Sequence, residues 1–130
     1  MPSIEHVAIW SADIERLRAF YTRYLCGIAG QKYTNRNTGF QSYFVTFDSG
    51  ARLELMQSSA IPANLISPAE QYQGIIHLAF AVGSAERVDE LTAQLAGDGY
   101  TIASAPRHTG DGYYESCVLD PDGNRIEITA

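Results

Sequence analysis

An internal repeat limits the possible folds of this chain more than any other feature of its sequence. The apolar run at residues 74–82 repeats the run at residues 4–9, and each run carries one histidine at the same place. His6 and His77 are separated by 71 residues. Because short apolar runs rich in branched side chains are typical of buried strands, the chain is expected to consist of two copies of one module.

The ends of the two halves repeat as well. Residues 52–55 read Arg-Leu-Glu-Leu and residues 125–128 read Arg-Ile-Glu-Ile, so that Glu54 and Glu127 are separated by 73 residues. Each half therefore carries one histidine on its first strand and one glutamate on its last strand. Imidazole nitrogens and carboxylate oxygens are common ligands of divalent metals. Two histidines and two glutamates at these positions are thus the kinds of ligand that a metal site needs.

The first half predicts a strand, a helix and three more strands. Period-2 alternation over residues 4–10 places His6 on one face of the first strand with the other even-numbered residues. A helix capped by Ser11 or Asp13 follows, with one buried apolar stripe, and is expected to stop at Gly27. The later strands are expected near residues 31–35, 40–47 and 52–57.

The second half repeats this plan. A strand at residues 75–82 leads to a helix with a Ser84 cap, which is expected to stop at residues 97–99. Three strands are expected near residues 100–103, 113–119 and 125–129. Residues 120–123 (Asp-Pro-Asp-Gly) predict a hairpin turn that matches Asp-Ser-Gly at residues 48–50 in the first half.

These elements predict an α+β fold with two β-α-β-β-β modules in a single domain of 130 residues. The first module is expected at about residues 1–57 and the second at about residues 74–130. Residues 58–73, which include Pro62 and Pro68, are expected to form a loop or tether between the modules.

Composition argues against several classes of protein. The net charge of −6 and the single lysine argue against binding to nucleic acid. No apolar run approaches the roughly 20 residues that span a bilayer, and no signal peptide is recognisable, so a soluble cytoplasmic protein without a membrane partner is expected. Cys26 and Cys117 are too few for a disulfide framework, and both are expected to be small buried side chains.

A structural ion pair is the alternative explanation for each glutamate. Arg52 precedes Glu54 by two residues, and Arg125 precedes Glu127 by the same interval, so each arginine shares a strand face with its glutamate. A buried carboxylate needs such a partner, and a single histidine in an apolar strand is more often a hydrogen-bonded core residue than a ligand. The joint pattern favours a metal site, since two modules related by a local two-fold bring equivalent strands to one cavity.

The chain resembles the vicinal oxygen chelate superfamily, also described as the glyoxalase/bleomycin resistance/dioxygenase family, and is most similar to its glyoxalase I branch. The resemblance is carried by residues 5–9, 18–21, 52–55, 76–80 and 119–128. It implies a cupped mixed sheet and a homodimer, in which glyoxalase-like members build each site from one module of each chain. It also implies a divalent metal (Ni²⁺, Zn²⁺, Co²⁺ or Mn²⁺) bound by His6, Glu54, His77 and Glu127.

The same resemblance implies a chemistry. The metal would chelate two adjacent oxygens of a small substrate and stabilise an enediolate, as in the lactoylglutathione lyase reaction. Glu127 would be the catalytic base, and Glu54 the second carboxyl group that returns the proton. Nothing in the sequence independently marks a glutathione site, although Arg36, Arg52 and Arg107 are available for its carboxylates.

Other functions of the superfamily remain open. A metal-dependent epimerase of CoA thioesters would use the same four ligands. A transferase of the fosfomycin-resistance type would use two histidines and Glu127 and would leave Glu54 without a role, and an extradiol dioxygenase usually has a longer chain. A metal-free antibiotic-binding protein of the bleomycin-sequestering kind would need none of the ligands.

Two further groups of residues are expected near the site. Residues 109–114, rich in glycine and aromatic side chains, predict a lid or substrate wall next to Arg107 and His108. His108 is left out of the ligand set because the first module has no counterpart. Some pocket-lining residues are expected among four large side chains on or beside the ligand strands: Trp10, Tyr43, Phe47 and Met56.

Overall fold

The structure is a computed structural model that describes the whole chain, residues 1–130. The chain divides into two compact units, Met1–Leu65 and Ile66–Ala130, and the boundary falls within the predicted linker. The first unit contains β1 (His6–Trp10), α1 (Ile14–Leu25), β2 (Ile28–Ala29), β3 (Tyr33–Thr34), β4 (Gln41–Thr46) and β5 (Arg52–Gln57). The second unit contains β6 (His77–Ala81), α2 (Ala85–Gly97), β7 (Ile102–His108), β8 (Tyr114–Leu119) and β9 (Arg125–Thr129). The predicted α+β class is confirmed.

Each unit contains one mixed sheet. The strand order is β1-β5-β4-β2 in the first unit, with β3 also paired to β4, and β6-β9-β8-β7 in the second. In both sheets the first strand of the unit runs parallel to the last strand, and the other neighbours are antiparallel. The strand that carries each histidine therefore lies directly beside the strand that carries the glutamate of the same half.

One helix packs on one face of each sheet and closes a hydrophobic core. The buried apolar residues of the first unit are Ile14, Leu17, Phe20, Tyr21, Tyr24, Tyr43, Val45, Leu53 and Leu55. The core of the second unit contains Val88, Leu91, Leu95, Val118, Ile126 and Ile128. Because side chains alternate between the faces of a strand, the ligand candidates on these strands lie on the face opposite the helix.

The predicted helix starts are confirmed. The Asp13 side chain accepts a hydrogen bond from the backbone N–H of Arg16, and the Ser84 side chain accepts one from the backbone N–H of Arg87. These caps satisfy backbone donors that the first turn of a helix leaves without a partner. Neither helix has the length and the apolar surface that crossing a membrane requires.

The end of α1 corrects two sequence predictions. The residue in the left-handed conformation is Cys26, with φ of 57°, and not Gly27. Gly27 is required for a different reason, because a Cβ atom there would lie 2.5 Å from Val45 Cγ1. Cys26 is exposed at this turn, so its predicted burial is wrong, whereas Cys117 is buried as predicted.

The strand bounds differ from the prediction mainly in β7. This strand was expected to end near residue 103, yet it continues through Pro106 to His108. A proline is tolerated here because β7 pairs only with β8, so that it is an edge strand, and because its register shifts on either side of Ser104. The two-residue strand β2, which pairs with β4, was not predicted.

The segment between β5 and β6 contains no helix or strand. Its later part is tied to the second unit, since Arg125 Nη1 donates a hydrogen bond of 3.4 Å to the Pro68 carbonyl oxygen. Pro68 also packs against the β8–β9 turn, where a Cβ atom on Gly123 would lie 2.7 Å from Pro68 Cγ. Glycine is required at this turn for two reasons, because a Cβ atom would meet Pro68 and because the φ of Gly123 is 87°.

Candidate functional site

The parallel pairing of β1 with β5 brings His6 and Glu54 together. His6 lies opposite Arg52 in this ladder, and Ala8 lies opposite Glu54. The Nε2 atom of His6 is 3.7 Å from Oε1 of Glu54. Both side chains lie on the open face of the sheet, because Leu53, the residue before Glu54, is in the core beneath α1.

The second unit repeats this arrangement in the same register. His77 lies opposite Arg125, and Ala79 lies opposite Glu127. The Nε2 atom of His77 is 3.1 Å from Oε1 of Glu127. The exposure of the side chains is also matched, at 41% and 39% for the two histidines and 18% and 20% for the two glutamates. The two pairs are therefore structural equivalents, and their donor atoms are accessible from solvent.

The separations of the donor atoms fit a shared metal ion. Nitrogen and oxygen ligands lie about 2.0–2.2 Å from Zn²⁺, so neighbouring ligands are about 3.3–3.6 Å apart around a tetrahedral ion and about 2.8–3.1 Å apart in a six-coordinate sphere. The His77–Glu127 distance of 3.1 Å matches the six-coordinate range, and the His6–Glu54 distance of 3.7 Å is slightly longer than either range. Small side-chain rotations would bring either pair onto an ion, so each pair fits two corners of a coordination sphere.

The structure brings the predicted ligands together as one pair within each unit, His6 with Glu54 and His77 with Glu127. No three His, Cys, Asp or Glu side chains of the chain are grouped as a metal site. Each pair supplies two ligands, and the convergence of all four on one ion stays a prediction.

The predicted ion pair between Arg52 and Glu54 does not form, because Arg52 binds Glu5 instead. Its Nε donates a hydrogen bond of 2.8 Å to Glu5 Oε2, and its Nη2 bonds the other carboxylate oxygen. The guanidinium group also lies over the ring of Phe44, 4.1 Å from its centre. These hydrogen bonds hold the pKa of the Glu5 carboxyl below its usual range. Arg52 therefore makes its hydrogen bonds to Glu5 and interacts with Glu54 only through their opposite charges.

A carboxylate from the preceding residue flanks the histidine of the first pair but not that of the second. Glu5 Oε1 lies 3.4 Å from Nδ1 of His6, so a carboxylate flanks the imidazole nitrogen that faces away from Glu54. A partner of this kind orients a histidine ligand and fixes which nitrogen is free to bind metal. The residue before His77 is Ile76, which cannot take this role. Arg125 does not pair with Glu127 either, since its hydrogen bond goes to Pro68.

Sequence reasoning missed the polar groups that surround Glu127. In the β8–β9 ladder Cys117 lies opposite Glu127, and Glu115 lies opposite Thr129 on the same face. Partial burial and the negative charge of Glu127 raise the pKa of the Glu115 carboxyl. The hydroxyl oxygen of Thr129 is buried without a hydrogen-bond partner. The alternation within β8 combined with the predicted hairpin register could have indicated this second carboxyl group.

A pocket of about 420 Å³ lies beside Glu54 on the open face of the first sheet. Its lining residues are Gly30, Gln31, Tyr33, Phe40, Ser42, Phe44 and Glu54. The ring of Phe40 packs near those of Tyr33 and Trp10, with centres 6.1 and 6.0 Å away. The ring of Phe44 meets the His6 imidazole edge-on at 5.4 Å. The metal-ligand candidates of this unit therefore border an aromatic cavity.

None of the four large side chains expected from the sequence near the site is among the lining residues of this pocket. Tyr43 lies on the helix side of the sheet, where its hydroxyl donates a hydrogen bond of 2.8 Å to Glu15 Oε1. This bond raises the pKa of Tyr43 and lowers the pKa of Glu15. Tyr43 thus links α1 to the sheet and belongs to the scaffold.

The glycine-rich segment at residues 109–114 is a tight connection between β7 and β8. The backbone N–H of Thr109 donates a hydrogen bond of 2.8 Å to the Tyr113 carbonyl, and its hydroxyl bonds Asp111 at 2.5 Å. His108 lies in β7 and packs on the Tyr114 ring, with centres 4.8 Å apart. The role of this segment as a lid stays a prediction.

Comparison with known sequences agrees with the resemblance seen in the motifs. The sequence profile of the Glyoxalase/Bleomycin resistance protein/Dioxygenase superfamily matches residues 3–128. The uncharacterised protein YqjT of Bacillus subtilis (strain 168) is 25% identical over 133 residues, which cover 98% of each chain.

Solved structures share the fold. A glyoxylase/bleomycin resistance protein/dioxygenase domain from Frankia sp. EAN1pec has a TM-score of 0.80 at 19% identity, covering 99% of this chain and 97% of its own. A possible glyoxalase from Bacillus cereus has a TM-score of 0.71 at 26% identity, covering 98% and 97%. Glyoxalase I from Zea mays has a TM-score of 0.78 at 19% identity and covers 98% of this chain. The chain spans only 44% of the maize protein.

Proposed function

Because the chain belongs to the Glyoxalase/Bleomycin resistance protein/Dioxygenase superfamily, we propose that it is a divalent-metal-dependent lyase or isomerase of the glyoxalase I type. The proposed substrate is a small molecule with two adjacent oxygens, such as a hemithioacetal. The observation that carries this proposal is the presence of two accessible His–Glu pairs in the same register of two equivalent sheets.

The equivalence of the pairs argues against a site of the fosfomycin-resistance type and is compatible with an epimerase of CoA thioesters, which would use the same four ligands. A site of the fosfomycin-resistance type leaves Glu54 without a role, yet Glu54 contacts His6 in the same way that Glu127 contacts His77. The structural alternative, an ion pair of each glutamate with the arginine two residues before it, is not supported, because the hydrogen bonds of those arginines go to other residues. The donor set contains no thiolate, and such nitrogen and oxygen sets suit Zn²⁺, Ni²⁺, Co²⁺ and Mn²⁺.

We further propose that both pairs bind one ion, in a site completed by formation of a homodimer. Two protein ligands leave most of a coordination sphere to solvent, whereas four protein ligands hold an ion firmly and, in a six-coordinate sphere, still leave two positions for a substrate. The proposed ligands are His6, Glu54, His77 and Glu127. When bound, the ion would hold the two substrate oxygens and offset the negative charge that develops on them.

The residues of the chain would carry out the proton transfers. We assign Glu127 as the base that removes the proton from the substrate carbon and leaves an enediolate. Glu54, the second carboxyl group, would return the proton to the neighbouring carbon. The polar surroundings of Glu127, with Glu115 and Thr129 on the next positions of the sheet, support this order of roles. Glu54 borders the aromatic pocket instead.

Turnover of a hemithioacetal tests the proposal. Protein stripped with a chelator and then reloaded separately with Ni²⁺, Zn²⁺ or Co²⁺ is expected to convert the hemithioacetal of an α-ketoaldehyde and a thiol to the thioester. The His6→Ala and His77→Ala variants are each expected to lose this activity. His108→Ala is the matched control and is expected to retain the activity, because His108 lies in β7 and packs on the ring of Tyr114 in β8. Absence of turnover with every ion, for hemithioacetals and for epimerisable thioesters alike, would contradict the enzyme assignment and favour a binding protein.

A further inference from the structure

The open faces of the two sheets differ although their topology is repeated. Phe44 lies opposite Glu54 in the first sheet, and Cys117 takes the equivalent place opposite Glu127 in the second. Ser42 in the first sheet is matched in the same way by Glu115. The aromatic wall is therefore a property of the first unit alone, which indicates a separate role for that face.

Exposed aromatic side chains line this pocket and flank it. Tyr33 in the lining is 53% exposed, and Trp10 beside the pocket is 43% exposed, although large apolar side chains normally become buried. Both rings pack around Phe40, and Phe44 forms part of the same wall. A cluster of exposed aromatic rings around a cavity of this size is typical of a site that buries an apolar part of a ligand.

The lining of the pocket is mostly apolar and offers an anionic occupant no cationic side chain. It contains no Lys or Arg, and its one carboxyl group is that of Glu54. Arg52 lies against Phe44 with its hydrogen bonds directed to Glu5. The lining instead favours a neutral, flat group packed against the rings.

We propose that this pocket binds a neutral aromatic group of the substrate, and that Tyr33, Phe40 and Phe44 select for it. The substrate class is thus an aryl-substituted molecule with adjacent oxygens, and not a charged peptide adduct. Because Glu54 lies at the edge of the pocket, a substrate ring bound there would lie next to the substrate oxygens that the metal holds. For the metal-binding end of the substrate, this inference depends on the proposed function. For the aromatic end of the substrate, it depends only on the pocket.

Two hydroxamates that differ only in the ring provide the test. Benzohydroxamate and acetohydroxamate chelate metals through the same two oxygens, and only the first carries an aromatic group. Binding can be followed through Trp10, the single tryptophan of the chain, whose ring centre is 6.0 Å from that of Phe40. With the metal-loaded protein, benzohydroxamate is expected to bind at least about tenfold more tightly, since the ring adds buried apolar area.

Variants of the wall identify the source of that preference. Phe40→Ala and, independently, the exposed Tyr33→Ala are expected to remove most of the preference for benzohydroxamate while leaving acetohydroxamate binding unchanged. Tyr72→Ala, at an exposed aromatic residue in the segment between β5 and β6, is the matched control and should retain the preference. Equal affinity for the two hydroxamates in the wild-type protein, or an undiminished preference in both wall variants, would overturn the inference.

The metal-free protein separates this inference from the proposed function. Benzamide, which has the ring but does not chelate, is expected to quench Trp10 without metal, and Phe40→Ala should weaken that binding. If neither hydroxamate responds to metal but benzamide still binds, the pocket assignment stands and the metal-dependent function fails. If metal-dependent binding of both hydroxamates is observed and benzamide does not bind at any concentration, the pocket assignment fails and the metal site stands.

Discussion

Replacing Glu127 with glutamine is expected to lower kcat by about 10²- to 10⁴-fold, which is the usual contribution of a positioned general base. The amide cannot accept a proton, although its oxygen occupies the same place and still offers a lone pair. The variant is therefore expected to fold normally and to retain more metal than an alanine variant. The measurement is steady-state turnover of the hemithioacetal by protein loaded with the most active ion.

The control for this experiment is Glu86→Gln, since Glu86 is an exposed carboxylate in the first turn of α2. Its rate is expected to equal that of the wild type. Glu54→Gln reports on the assignment of roles, because a residue that only returns the proton is not required for its removal. Exchange of the substrate C–H proton with solvent should therefore persist in Glu54→Gln and disappear in Glu127→Gln. The reverse pattern would contradict the assignment of Glu127 as the base.

Replacing Asp120 with alanine is expected to destabilise the second unit by about 3 kcal/mol. The Asp120 side chain is 4% exposed and accepts hydrogen bonds from the backbone N–H groups of Asp122 and Asn124 and from the Asn124 amide. Hydrogen bonds to a charged acceptor contribute about 1.5–3 kcal/mol each, and their loss leaves partly buried donors without partners. The change in the free energy of unfolding can be measured by urea denaturation.

The equivalent turn of the first unit supplies the matched control. Asp48 occupies the corresponding hairpin but is exposed, so Asp48→Ala is expected to change stability by no more than about 0.5 kcal/mol. Because the Asp120 turn sets the register of β8 against β9, the variant should also hold metal less well than the control. Equal and small effects of the two substitutions would show that the turn does not depend on the buried carboxylate.

Local patterns predicted most of the elements and the strands that carry the ligand candidates. The repeat placed His6 and Glu54 on the first and last strands of one module, and His77 and Glu127 on those of the other. The helix caps at Asp13 and Ser84 were also predictable, because they depend on a side chain and a backbone group only three residues apart. These features depend on short-range geometry, which a sequence displays directly.

Contacts between distant residues could not be predicted in this way. Arg52 binds Glu5 and not its expected partner Glu54, because the parallel register of β1 and β5 brings residues 47 positions apart side by side. Glu115 resembles an ordinary solvent-facing residue until the ladder sets it opposite Thr129. The continuation of β7 past residue 103 and through Pro106 depends on the edge position of this strand and on its register shifts, which the sequence did not reveal.

The relation between the two His–Glu pairs is the least predictable feature. Local periodicity contains no information on which surfaces meet in an assembly, and the two pairs lie in separate units of the chain. The proposal of one shared ion therefore depends on the equivalence of the pairs and on the ligand number that a firmly held ion needs.

Metal content of the purified protein tests most directly the claim that the two pairs are halves of one divalent metal site. The measurement compares wild-type protein, after loading with Ni²⁺, Zn²⁺ or Co²⁺ and removal of free ions, with alanine variants of each pair: His6→Ala, Glu54→Ala, His77→Ala and Glu127→Ala. The account predicts about one ion per chain in the wild type and in His108→Ala, and strong loss in all four variants with circular dichroism unchanged. A wild-type protein that holds no ion, or metal that survives removal of either pair, would contradict it.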